Sequence, residues 1–81
     1  MKIRILYFAI VRERLGLDQE DYELDDGARV HDLLTLVERR HDSLAQGVAS
    51  VRVAVNNEYV DSDHALADGD EVAVIPPVSG G

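Results

Sequence analysis

Apolar and polar residues alternate from Lys2 to Phe8, with Ile3, Ile5 and Tyr7 on one side and Arg4, Leu6 and Phe8 on the other. A period of two predicts a β-strand whose two faces meet different surroundings. Ala9–Leu15 breaks that alternation and reads as a short helical excursion. Gly16 stands where it would end, because glycine enters the left-handed conformation of a helix C-terminus at little cost. Gln19–Leu24 predicts a second strand, charged enough to belong at a sheet edge, where charge discourages pairing with foreign strands. Asp25-Asp26-Gly27 is a turn.

The clearest helix follows. Val30, Leu33, Leu34 and Val37 fall at i, i+3, i+4 and i+7 and form one apolar stripe, which Leu44 extends beyond His41. Asp32 in the first turn and Arg39-Arg40 in the last complement the helix dipole. Residue 29 is Arg, which cannot accept from the first free N–H groups as Ser or Thr would. Gly47 marks the loop beyond. Arg52–Val55 alternates again, and Asn56-Asn57 can adopt the positive φ angles of a tight hairpin returning into Glu58–Val60. Asp61–Asp70 is a polar connection anchored by Leu66, and Asp68-Gly69-Asp70 turns the chain into a last strand, Glu71–Ile75.

This order predicts an α+β domain: a mixed sheet of about five strands with one main helix packed on one face. The first and last strands are its most apolar members and are expected side by side at its centre. Ile3, Ile5, Val53, Val55, Val72 and Val74 should then face the helix. Leu6, Phe8, Ala73 and Ile75 gather on the opposite face, near the point where the chain continues into its last residues. An exposed apolar patch of that kind suits docking, and Phe8, Tyr59 and Ile75 are its candidate contacts. The folded domain is expected over residues 1–77, with 78–81 as a flexible Gly-Gly tail.

Composition narrows the function. The 81 residues form one domain, 46% hydrophobic and without cysteine, so thiolate nucleophiles, disulfides and cysteine zinc sites are excluded. Sixteen acidic against eight basic residues give a net charge of −8, which repels phosphate backbones and argues against nucleic acid as a partner. No segment is long and apolar enough to span a membrane, and Ile5–Val11 runs into Arg12-Glu13-Arg14 without a signal cleavage site, so a cytoplasmic protein is expected. His31, His41 and His64 lack metal-ligand spacing and read as surface histidines. Asp61, Asp63, Asp68 and Asp70 do not match a calcium loop, and Ser79 has no evident base. Asp18, Glu20, Asp21, Glu23, Asp25 and Asp26 read as a solvated strand face and turn. The chain offers no catalytic side chains, bound metal or cofactor of its own.

Its chemical asset is the end of the sequence, Pro76-Pro77-Val78-Ser79-Gly80-Gly81. Gly80 and Gly81 carry no Cβ, so that stretch of backbone fits a slot too narrow for side chains. Pro76 and Pro77 fix φ and stiffen the root. A stiff root with a slim tip suits the delivery of the Gly81 carboxylate into another protein's active site, with Val78 and Ser79 lining the path.

These residues resemble the small subunit of molybdopterin synthase, the MoaD-type sulfur carrier of the ubiquitin-like β-grasp family. The likeness lies in Leu6-Tyr7-Phe8-Ala9 with Arg12-Glu13 and Gly16, in Val30, Leu33 and Leu34, and in Val55-Asn56-Asn57. It is most specific in Asp68-Gly69-Asp70-Glu71-Val72 joined to Pro76–Gly81. The resemblance implies that an E1-like enzyme uses ATP to adenylate the Gly81 carboxylate, which sulfur then converts to a covalent thiocarboxylate. It also implies a heterotetramer of two small and two large synthase subunits, in which the tail donates sulfur to cyclic pyranopterin monophosphate to build the molybdopterin dithiolene. The small subunit is thus the sulfur-donating part of a sulfurtransferase complex. Three rivals share the fold. A sulfur carrier for thiamin thiazole synthesis would be shorter and lack the Ala9–Leu15 excursion. A ubiquitin-like modifier would join the same terminus to target lysines. A passive β-grasp binding module would have a chemically idle tail.

Overall fold

The computed structural model describes residues 1–41 and 51–75, with Ala9 and Ile10 described by their backbone alone. Strand β1 (Lys2–Tyr7) leads into helix α1 (Ala9–Leu15), strand β2 (Gln19–Glu23) and helix α2 (Val30–Arg40), followed by β3 (Arg52–Val55), β4 (Glu58–Val60) and β5 (Glu71–Ile75). The five strands form one mixed sheet in the order β2-β1-β5-β3-β4. The first and last strands lie together at its centre, parallel, with Arg4 opposite Glu71 and Tyr7 opposite Val74. The charged β2 is an edge, as its composition predicts. The expected strand Gln19–Leu24 is observed as Gln19–Glu23, and Leu24 continues its register by exchanging both backbone hydrogen bonds with Met1 at the start of the chain.

Alternation decides which side chains are enclosed. Ile3, Ile5 and Tyr7 of β1, Val72 and Val74 of β5, and Val53 and Val55 of β3 form one buried cluster with Val30, Leu33 and Val37 of α2. Each such side chain contributes about 1.5–3 kcal/mol by leaving water. Leu34 packs only at the margin of this core, so the stripe is narrower than the spacing predicts; Leu44 and Gly47 lie outside the described residues. Leu66 is buried and anchors the long connection.

Two turns follow from residue chemistry. Gly16 closes α1 at φ 69°, its N–H bonded to the Arg12 carbonyl. Asn56 and Asn57 take φ 49° and 72°, the positive pair that a two-residue hairpin requires. The start of α2 shows how Arg29 is tolerated as the N-cap. The Asp32 carboxylate accepts from the Arg29 N–H at 2.8 Å. The next two N–H groups, of Val30 and His31, donate to the carbonyls of His64 and Ser62, both at 3.0 Å. The 61–70 connection thus satisfies donors that a Ser or Thr cap would have shared, and the Arg29 guanidinium donates to the Asp63 carbonyl.

Candidate docking face and polar cluster

The face of the sheet opposite α2 carries the other half of each strand. Leu6 lies across from Ala73, and Ala73 from Ala54. Ala54 in turn lies across from Tyr59. This row of small and apolar residues spans four strands. One step further along, Arg52 lies across from Ile75, and Phe8 follows β1 at the level of Ile75. Phe8 is 42% exposed and Tyr59 65%, the two large apolar side chains that stand out from the surface among the described residues. Ile75 is half-buried. The C-terminal ends of β1 and β5 point the same way, so Phe8 and Ile75 flank the point where the chain leaves the sheet for residue 76. Pro76, Pro77, Val78, Ser79, Gly80 and Gly81 lie outside the described residues.

A second grouping joins the far side of the sheet to the end of α2. The Glu20 carboxylate, 14% exposed, accepts from the Tyr7 hydroxyl at 2.6 Å and sits 2.7 Å from His41 Nε2. The Tyr22 hydroxyl and the Arg40 guanidinium approach it at 3.4 Å. Arg40 also lies 4.8 Å from the Tyr22 ring centroid, and the His41 ring meets Tyr7 edge-on. Burial alone would push the Glu20 carboxyl up. The hydrogen bonds from Tyr7 and His41, with the electrostatic attraction of His41 and Arg40, outweigh it and hold the group below the usual glutamate value. Burial, reinforced by the bond to Glu20, pushes the Tyr7 hydroxyl far above the ordinary phenol value, so it stays a neutral donor.

Two sequence expectations are corrected here. His41 is not a surface histidine: its side chain is 17% exposed and bonded to Glu20, whereas His31 and His64 are exposed. Glu20 does not belong to the solvated acidic face of β2 and its flanks, where Asp18, Asp21 and Glu23 remain open to water. Among the described residues no group of histidines and acids could hold a metal ion, and no helix is long and apolar enough to cross a membrane.

A family model described as the ThiS family matches residues 5–81. The chain belongs to this family. A relative from Chlamydomonas reinhardtii, named molybdopterin synthase sulfur carrier subunit, is 46% identical over 83 residues that cover 100% of each chain. Another from Haloferax volcanii, named small archaeal modifier protein 3, is 37% identical over 92 residues, again covering 100% of each. Among solved structures, one from Pyrococcus furiosus, described as a molybdopterin converting factor, subunit 1, superposes with a TM-score of 0.88 at 42% identity and covers 96% of this chain and 99% of its own. The mixed five-stranded sheet over one main helix is therefore the ubiquitin-like β-grasp fold, and the resemblance to molybdopterin synthase sulfur carriers holds over the whole chain.

On this ThiS-family frame the structure brings Phe8, Ile75 and Tyr59 to one face. It also adds residues that the sequence pattern does not single out: Ala54 and Arg52 on that face, and Glu20 with His41 behind it. Glu20 had a signal, since it shares strand parity with the buried Tyr22 and Leu24. Nothing local announces its pairing with His41, 21 residues away.

Proposed function

We propose that this chain is the sulfur carrier of a molybdopterin synthase. The observation that carries this reading is the end-to-end match, at 46% identity, to a relative named molybdopterin synthase sulfur carrier subunit. In this role the Gly81 carboxylate is the reacting group. A terminal carboxylate is an anion at neutral pH and a poor electrophile. An E1-like enzyme using ATP turns it into an acyl adenylate, and displacement of AMP by a sulfur nucleophile leaves the thiocarboxylate. Gly80 keeps the approach slim, and Pro76 and Pro77 stiffen the root while Val78 and Ser79 line the path.

The body of the protein supplies position. The face containing Phe8, Tyr59 and Ile75 docks on the large synthase subunit, and that binding holds the reactive tip where the partner's side chains act on it. The partner contributes the catalytic groups, and two small subunits join two large ones. Sulfur passes to cyclic pyranopterin monophosphate, and each spent carrier leaves as a plain carboxylate, so a dithiolene consumes two carriers. The protein needs no bound cofactor and works in the cytoplasm.

Intact mass of the chain after incubation with an adenylating enzyme, ATP and a sulfur source tests the first half. The sulfur-for-oxygen gain on Gly81 is expected; its absence defeats the reading. Mixing the thiocarboxylated chain with a large subunit and the pterin precursor tests the second half. Dithiolene product is expected, and sulfur delivery to a thiazole-forming enzyme instead would assign the chain to the thiamin pathway. The likeness to a relative named small archaeal modifier protein 3 favours one second reading, attachment to lysines of other proteins. It predicts amide-linked conjugates after activation in a cell extract.

A further inference from the structure

The open face is divided along β1. At the Lys2 end its charges are matched: Lys2 lies across from Glu23, and Arg4 lies between Asp21 and Glu71, with its Nε 3.4 Å from the Asp21 carboxylate. At the Phe8 end the face is made of Leu6, Phe8, Ala54, Tyr59, Ala73 and Ile75. Arg52 lies within that end, directly across from Ile75, and shares a groove with Tyr59 and Asp61. Its guanidinium lies 5.7 Å from the centroid of the Tyr59 ring. Among the described residues no carboxylate comes within 4.0 Å of it, although the chain holds sixteen acidic residues.

While the face is open, water satisfies the five N–H donors of that guanidinium. Covering the face removes the water, and a charge desolvated without a partner is strongly unfavourable. Asp61 lines the same groove as Arg52 but forms no ion pair with it, and the apolar neighbours Ala54, Ala73 and Ile75 offer no side-chain acceptor. Among the described residues no acceptor holds the guanidinium, so a carboxylate on the covering surface would complete its pairing. The Tyr59 ring meanwhile restrains the guanidinium plane before any partner arrives. A planar fork held in advance matches a carboxylate through two parallel hydrogen bonds, which a lysine ammonium cannot reproduce.

We propose that Arg52 is a specificity-determining residue of the docking face and that the large subunit presents an Asp or Glu carboxylate to it, beside the apolar depression that receives Phe8 and Ile75. The inference rests on the carrier reading and adds to it the chemistry by which this chain recognises its own partner. Phe8 and Ile75 supply contact area that any apolar groove could accept, whereas the guanidinium rejects a groove lacking the acid.

The test is calorimetric titration of the large subunit with the full chain as wild type, Arg52→Ala, Arg52→Lys and Arg52→Glu, with thermal midpoints confirming that each variant is folded. Arg52→Ala is expected to weaken binding by about tenfold or more and Arg52→Glu by about a hundredfold, through faster dissociation, with Arg52→Lys between wild type and Ala. Exchanging the facing partner carboxylate for lysine should restore binding to Arg52→Glu. Wild-type binding with Arg52→Glu inside about twofold of it would overturn this inference and leave the carrier reading standing. Failure of the wild type to bind the large subunit would overturn both. If Arg52→Glu does not fold, Arg52→Gln, neutral and of similar length, replaces it. A loss of about tenfold then supports the contact, and binding within about twofold of wild type overturns it.

Discussion

The two faces of the sheet are built from alternate residues of the same strands, yet they meet opposite fates. On one, Ile5, Val72, Val74 and Val53 disappear under Val30, Leu33 and Val37 of α2. On the other, Leu6, Ala73 and Ala54 lie flat, while Phe8 and Tyr59 stand out of the surface. No described element of the chain's own fold covers that second face. The covered face is closed by residues of this chain and sets its stability; the open face is left for a partner and, in the proposed role, sets where the tail is delivered. Because neighbours along a strand point to opposite sides, a substitution on one face can be nearly silent on the other.

The sharpest separation of function from fold lies at the end of the sequence. Deleting Gly81 is expected to abolish thiocarboxylate formation completely, read by intact mass, while the thermal midpoint stays where it was. Sulfur loading of the shortened chain would break the carrier reading.

The two faces themselves are compared by a pair of substitutions. Leu33→Ala opens a cavity in the covered face and should lower unfolding free energy by about 2–5 kcal/mol in a denaturant titration, with partner affinity of the folded protein unchanged. Ile75→Lys should do the reverse. It places an unpaired charge in the contact and is expected to weaken the complex by about a hundredfold, with a much smaller change in stability. Intact binding by Ile75→Lys would remove Ile75 from the docking surface.

Glu20 lies between these extremes, since it fastens the covered face at the end of α2. Glu20→Gln should lower stability by about 1–3 kcal/mol, because Tyr7 and His41 lose a charged acceptor. The pH dependence follows from the lowered carboxyl pKa. The folded protein binds fewer protons at Glu20 than the unfolded chain does, so this stabilisation is full above the unfolded carboxyl's pKa and is lost as pH falls through the lower folded value. Tyr7 works in the opposite sense: its raised pKa gives stability that is full below the ordinary phenol range and is lost as pH climbs beyond it. Thermal midpoints between pH 3 and 6 should therefore fall more gently for Glu20→Gln than for wild type. Parallel curves would show that the cluster does not couple folding to this proton.

Much of this protein is legible without coordinates because its signals are local. A period of two separates Ile3, Ile5 and Tyr7 from Arg4, Leu6 and Phe8. Val30, Leu33 and Val37 mark the buried line of α2, and Asn56-Asn57 names its own turn, because side chains close in sequence share a face or a dihedral whatever the rest of the chain does. The docking candidates Phe8, Tyr59 and Ile75 could be named for the same reason, and the Gly80-Gly81 end stands out by composition alone. Other features depend on distant segments meeting in one register. Glu20 finds Tyr7 across 13 residues and His41 across 21, and the donors of Val30 and His31 find carbonyls more than thirty residues ahead. Arg52 comes beside Tyr59 and across from Ile75 only once β3, β4 and β5 have paired. Such contacts are fixed by strand register and helix docking, which sum over the whole core, and no short stretch of sequence contains that sum.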